Sequence, residues 1–200
     1  MGEKQIFQPL TREDRITVVV YRAGIVLSTV MLSGLAYLLA TAPTGPASDI
    51  GRSAELAGYA LFFAVGLCVF FIHLYVRVFK KFLIGLYLFS LFCLGALFVI
   101  GRGSLADGLT QVAYGPLFLL PLSGCLGFVT AKEAFCFRLV EGYLLALLMP
   151  LYLLLAAGGL LPGRSAAIGL LLIAGLLVLF TLRKVFQPLA YDIGDKSAYQ

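Results

Sequence analysis

Long runs of apolar residues separated by short polar stretches dominate the sequence. Six runs can be recognised, at residues 23–41, 56–76, 82–101, 112–130, 139–161 and 166–182. An α-helix rises about 1.5 Å per residue, so about 20 apolar residues cross a hydrocarbon core of about 30 Å. Membrane-spanning strands would instead show segments of about ten residues in which apolar and polar positions alternate. The pattern therefore predicts an all-α fold, a polytopic transmembrane helix bundle with six spans.

A helix-start signal precedes the first apolar run. The sequence Thr11-Arg12-Glu13-Asp14 resembles a capping box, in which two side chains bond to free backbone N–H groups of the first turn. The acidic residues also suit the positive end of the helix dipole. We therefore expect the first helix to begin near Arg12. Nothing outside the runs is long enough for a second domain, which predicts a single transmembrane domain with short tails at about 1–22 and 183–200.

Composition and charge agree with this prediction and add an orientation. Hydrophobic residues make up 61% of the chain and charged residues 12%, whereas soluble domains carry about 25% charged residues. Twelve of the fifteen basic residues precede the first run, follow the sixth, or lie between runs two and three or four and five. Basic residues are enriched in cytoplasmic loops, so both termini are predicted to be cytoplasmic. The net charge of +5 is thus a topology signal that suits lipid headgroups, and nucleic acid is not an expected partner.

The sequence offers little for a metal or another cofactor. The chain has one histidine, and its four cysteines, Cys68, Cys93, Cys125 and Cys136, contain no C-x-x-C pair. Three of them lie within apolar runs and the fourth lies on the predicted cytoplasmic side, so we expect four free thiols. Metal sites usually need several His, Cys or carboxylate ligands at set spacings. We therefore predict no metal, no cofactor and no catalytic residues.

Ionisable residues at membrane depth are the best functional candidates because their burial is costly. Arg22, His73 and Glu141 lie within or at the edges of apolar runs at a similar depth on the predicted cytoplasmic side, and Glu133 and Arg138 lie just outside the runs. These five residues form a candidate polar pocket, in which Arg22 and Glu141 face each other or share the pocket with His73. Alternatively, each side chain extends to the interface or pairs locally, as Arg138 and Glu141 could at a spacing of three.

Two short motifs resemble a known family. They are Lys132-Glu133-Ala134-Phe135-Cys136-Phe137-Arg138, followed by Glu141-Gly142-Tyr143, and Tyr21-Arg22-Ala23-Gly24. Together they resemble an uncharacterised bacterial integral-membrane family, a domain of unknown function associated with photosynthetic bacteria. The resemblance implies a location in the bacterial plasma membrane or the thylakoid, and it implies no activity.

Two functional classes follow from these observations. Transport sites usually lie near the bilayer centre, where this chain is apolar apart from Ser, Cys and Gly. This favours a small helper or structural subunit, without enzymatic activity, that binds lipid or other membrane proteins through its helices. The alternative is a transporter or channel whose path passes the level of His73 and Glu141.

Overall fold

The computed structural model describes residues 11–41, 48–74 and 76–193, and within these ranges it contains helices and no strand. The helices are α1 (Arg12–Thr41), α2 (Ser48–Phe71), α3 (Arg77–Ile100), α4 (Leu105–Gln111), α5 (Leu120–Phe137), α6 (Val140–Ala157), α7 (Gly163–Val185) and α8 (Ala190–Ile193), with a 3-10 helix at Gly115–Leu119 before α5. Six helical stretches are long and apolar enough to cross a membrane: Arg12–Thr41, Gly51–Phe71, Arg77–Ile100, Gly115–Phe137, Val140–Ala157 and Gly163–Val185. The all-α prediction with six spans is confirmed.

The start of α1 has the predicted capping box. The backbone N–H of Thr11 donates to Asp14 Oδ2 at 2.8 Å, and the backbone N–H of Asp14 donates to Thr11 Oγ1 at 3.2 Å. These reciprocal bonds satisfy N–H groups that no helical carbonyl can reach, which fixes the helix start at Arg12.

The fourth apolar run differs most from its prediction. The expected span at 112–130 is replaced by a span at Gly115–Phe137, and the short helix α4 precedes it. Pro116 lies at the first turn of the 3-10 helix, where the missing N–H of proline costs nothing. At its other end the helix continues past Glu133, because the bundle satisfies the polar groups of this turn. Glu133, expected just outside the span, therefore lies within it.

The second span, Gly51–Phe71, has the predicted length of 21 residues but lies about five residues closer to the N-terminus than predicted. The run at 56–76 was expected to be helical throughout, but α2 ends at Phe71. Val76 has an extended backbone, with φ −100° and ψ 114°, and this conformation separates α2 from α3. His73 consequently lies in the connection between two helices rather than within a span.

Close helix packing depends on small residues in α1. A Cβ atom built on Gly24 would lie 2.9 Å from Cys68 Sγ and 3.0 Å from the carbonyl oxygen of Ala64, so α1 touches the backbone of α2 at this point. Ser28, one turn later, is fully buried.

All four cysteines are free thiols, of which Cys136 alone is exposed.

Candidate functional site

Charged side chains are buried at one end of the bundle. At this end α1 begins, α2 and α5 end, α3 and α6 begin, and α7 ends. We call it the basic end. Its buried charged residues are Arg22, Glu133, Glu141, Lys184 and Asp192.

Glu133 of α5 and Lys184 of α7 form the centre of this cluster, and neither side chain is exposed. Lys184 Nζ lies 2.5 Å from Glu133 Oε2. The other carboxylate oxygen, Oε1, accepts hydrogen bonds from Tyr21 of α1 and from Lys132 Nζ, each at 2.7 Å. Three helices therefore meet at one carboxylate, one oxygen of which accepts two hydrogen bonds while the other contacts the Lys184 ammonium.

Asp192 extends the cluster into the C-terminal segment, which we define as residues 186–193. Its carboxylate bonds to Lys184 Nζ through Oδ1, and its Oδ2 accepts from Arg22 Nε at 2.7 Å. Asp192 is 4% exposed, as expected for a charge with two cationic partners. One carboxylate thus ties α8 to both α1 and α7.

Arg22 also holds the backbone of the C-terminal segment. Its guanidinium donates to the carbonyl oxygens of Val185 at 2.9 Å, Gln187 at 2.6 Å and Pro188 at 3.1 Å. The last carbonyls of a helix have no partner within the helix, and a planar guanidinium with five N–H donors can reach several of them. Arg22 therefore caps the end of α7 from a neighbouring helix.

Aromatic contacts complete the basic end. Lys184 Nζ lies 3.9 Å from the centre of the Phe137 ring, within the range of a cation–π interaction. The rings of Phe137 and Tyr191 have centroids 6.4 Å apart. The C-terminal segment therefore contacts the end of α5 as well as α1 and α7.

Glu141 forms a separate ion pair with Arg183 of α7. Arg183 Nη1 lies 2.9 Å from Glu141 Oε1 and 2.8 Å from Oε2. The Glu141 side chain is 6% exposed, whereas half of the Arg183 side chain is exposed. This pair joins α6 to α7 at the edge of the cluster.

His73 has one hydrogen-bond partner among the described residues. Its Nε2 lies 3.2 Å from Thr17 Oγ1. The Thr17 hydroxyl donates to backbone carbonyls of its own helix, so its oxygen accepts from Nε2–H. Burial, together with the nearby charges of Lys132 and Lys80, lowers the pKa of His73 below its usual value, and the imidazole is therefore neutral at neutral pH.

The structure divides the five predicted site residues between different contacts. Arg22 and Glu133 belong to one cluster. Asp192 pairs with both Arg22 and Lys184, and Lys184 also pairs with Glu133. Arg22 and Glu141 do not pair, because each has a different partner, and no ion pair joins Arg138 to Glu141 among the described residues. Arg138 is exposed and ends α5 in a left-handed conformation with φ 54°.

Sequence reasoning missed the residues that hold the cluster together. Arg183 and Lys184 counted only as topology signals because they follow the last apolar run. Asp192 lay in a segment predicted to be a tail. A possible signal was the spacing of Asp192 from Lys184, which allows a short turn to bring the two charges together.

The arrangement holds the helices and the C-terminal segment together through ion pairs. Three cations, Arg22, Lys132 and Lys184, surround two carboxylates, Glu133 and Asp192, and each carboxylate has two cationic partners. The described ranges contain no group of three or more His, Cys, Asp or Glu residues that could hold a metal ion.

Comparison with known proteins places the chain in a family. No curated protein and no solved structure matches it significantly. Residues 67–200 match the family described as "Uncharacterized integral membrane protein (DUF2301)". The match covers two thirds of the 200 residues, from the end of α2 onward, and it includes Glu133, Lys184 and Asp192. It carries no information about photosynthetic bacteria, so that association stays a prediction. The chain belongs to this family of uncharacterized integral membrane proteins.

Proposed function

We propose that the protein is a helper or structural subunit of a bacterial plasma membrane or thylakoid, and that it binds other membrane proteins or lipid through the apolar surfaces of its helices. The observation that carries the proposal is the mutual pairing of Arg22, Glu133, Lys184 and Asp192 inside the basic end. Because these charges bond to one another, their role is to hold the bundle and the C-terminal segment together.

The surface of α3 supports a binding role. Gly85, Leu88, Phe92 and Gly95 follow a helical spacing of three or four residues and are exposed on one face. A Cβ atom built on either glycine would meet nothing within 4 Å. In a membrane, small residues allow a second helix to approach closely, and such approach provides the van der Waals packing that drives helix association. This face of α3 therefore suits contact with a partner helix.

The transporter alternative requires more rearrangement. A solute path at the level of His73 and Glu141 would pass the ion pairs that join α1 to α8 and α5 to α7. Breaking them would leave charges unpaired at membrane depth, which is costly. The helper role needs no such opening.

The test is isolation of the tagged protein from native membranes in a mild detergent, followed by mass measurement of the intact complex. We expect a stoichiometric protein partner or a retained set of lipids. Gly85→Leu combined with Gly95→Leu should reduce binding of that partner, since leucine side chains would separate the helices. Gly175→Leu is the matched control, because Gly175 also lies beside open space, on α7.

A different result would contradict the helper role. That result is a protein that carries neither partner nor lipid, together with solute uptake into proteoliposomes that is abolished by Glu133→Gln. Such uptake would favour the transporter alternative.

A further inference from the structure

An apolar cavity lies in the half of the bundle away from the basic end. It has a volume of about 510 Å³ and is lined by residues of α1, α2, α4, α5, α6 and α7 and of the 3-10 helix. Eleven of the 21 described lining residues are leucines, and Tyr152 is the one aromatic residue among them. We call this space the leucine cavity. Its volume falls in the range of ligand pockets, about 300–1,000 Å³.

The few hydroxyl groups of the lining are already bonded. Ser123 donates to the carbonyl three residues earlier at 2.9 Å, and Thr110 donates to the carbonyl four residues earlier at 3.0 Å. Tyr152 donates to the carbonyl oxygen of Ala166 at 3.1 Å. Because these hydroxyl hydrogens are used, the described part of the lining offers a ligand no free hydroxyl donor. A polar group inside the leucine cavity would lose its hydrogen bonds to water, whereas a hydrocarbon would lose nothing.

The depth of the cavity matches one leaflet of a bilayer. Along α2 the lining extends from Gly51 to Val65, which at about 1.5 Å per residue is about 21 Å of helix. Half of a bilayer of about 40–45 Å, headgroup regions included, is about 20–22 Å. The cavity therefore runs from the end of the bundle opposite the basic end to about the middle of the membrane, the depth that one lipid molecule occupies.

We propose that the leucine cavity binds one acyl chain of a membrane lipid from the leaflet opposite the basic end. The inference rests on the proposed function and narrows its lipid ligand to a single chain at a defined place. Bilayer tails are as apolar as leucine, so occupancy depends on van der Waals fit rather than on transfer from water. A ligand with a flat ring would gain from several aromatic side chains, and the described lining provides one.

Photolabelling tests this inference on the full chain reconstituted in lipid vesicles. The probe is a phosphatidylcholine that carries a diazirine near the end of one acyl chain. We expect adducts on Leu126 and Met149, which are 4% and 6% exposed and so cannot be reached by lipid on the outer surface of the bundle. Labelling of Phe92, which is 72% exposed, reports ordinary bilayer contact in the same sample.

Filling the leucine cavity provides the matched comparison. Ala156 lines the cavity, whereas the neighbouring Ala157 is not among the described lining residues. Ala156→Phe should reduce the adducts on Leu126 and Met149 several-fold, and Ala157→Phe should leave them unchanged. Both variants should keep the labelling of Phe92. Adducts confined to exposed residues in the unaltered chain would overturn the proposal.

A fluorescence measurement covers the case in which Ala156→Phe does not fold. The chain has no tryptophan and ten tyrosines, so Met149→Trp introduces a single tryptophan into the cavity wall, which is excited at the long-wavelength edge where tyrosine does not absorb. Lipids with brominated acyl chains should quench it, and unlabelled lipid should compete. Absence of quenching, or stronger labelling by an isoprenoid diazirine than by the acyl probe, would overturn the acyl-chain assignment. If a partner protein still co-purifies, the helper role stands and only the cavity inference fails.

Discussion

Asp192 illustrates what a single buried charge does in this protein. Its carboxylate is 4% exposed and balances Arg22 and Lys184, which lie on two different helices. Removing one partner from a buried ion pair costs about 3–5 kcal/mol, mainly because the remaining charge is left without compensation. The pair was not predictable from the sequence, since Arg22 and Asp192 are 170 positions apart. Depth along a helix can be read from hydropathy, but the partner of a charge depends on which helices are neighbours.

Asp192→Asn should therefore lower the free energy of unfolding by about 3–5 kcal/mol. Combined with Arg22→Gln, its effect should be less than additive, because both changes break the same pair. The destabilising effects of Arg22→Gln and Glu141→Gln should instead be additive, since Glu141 pairs with Arg183. The measurement is thermal unfolding of each variant in one detergent at one scan rate, and Asp107→Asn, at an exposed position, is the control. Additive loss for Arg22 and Asp192 would disprove their pairing.

The lowered pKa of His73 predicts how the stability of the protein changes with pH. The folded protein lowers the pKa of His73 through burial and through the charges of Lys132 and Lys80, whereas the pKa of histidine in an unfolded chain is about 6.5. The unfolded chain therefore takes up the proton more readily, so the contribution of His73 is fully present above about pH 6.5 and is lost as the pH falls toward the folded pKa.

We expect the melting temperature to fall as the pH drops from about 7.5 to about 5, with a contribution from this one group of at most about 1.4 kcal/mol per pH unit. His73→Gln should flatten this part of the curve, because glutamine does not titrate. An unchanged pH profile in His73→Gln would show that other groups determine the acid sensitivity.

At the scale of the helices, continuous apolarity was sufficient to predict all six spans, but not their ends. The predicted fourth span stopped at residue 130 because Lys132 and Glu133 follow it in the sequence. The helix continues to Phe137 because Tyr21 and Lys184 satisfy the Glu133 carboxylate inside the bundle. Hydropathy detects a polar residue but not the partners that make its burial tolerable. The start of α1 was predictable because a capping box uses only neighbouring residues.

Two glycines of α1 give a matched prediction about helix packing. A Cβ atom at Gly24 would crowd Cys68 and Ala64 of α2, whereas a Cβ atom at Gly34 would meet nothing within 4 Å. Gly24→Ala should therefore destabilise the protein by about 1–3 kcal/mol through overpacking. Gly34→Ala should stabilise it by about 0.5–1 kcal/mol, because alanine favours the helix over the unfolded chain. Thermal unfolding of the two variants in parallel measures both changes in stability. Equal changes in stability would show that α1 and α2 are not in contact at Gly24.

At the scale of the whole molecule, the orientation in the membrane remains a prediction of the charge pattern. The structure gathers Arg22, Lys132, Arg183 and Lys184 at the basic end. The positive-inside rule then predicts that this end faces the cytoplasm. The geometry of the bundle alone does not set this direction, because the bundle could be inserted either way without changing any internal contact.

Single cysteines test the orientation. Cys136→Ser removes the exposed native thiol from the protein that receives these cysteines. The other three native cysteines can stay, because Cys68, Cys93 and Cys125 are buried. Cysteines placed at Asp107 and Arg164, both exposed at the end opposite the basic end, should react with a membrane-impermeant maleimide on intact cells. A cysteine at Lys81, exposed near the start of α3, should react only after permeabilisation. Reaction at Lys81 in intact cells, with protection at Asp107, would mean that the bundle is inserted in the opposite direction, and the leucine cavity would then open to the cytoplasmic leaflet.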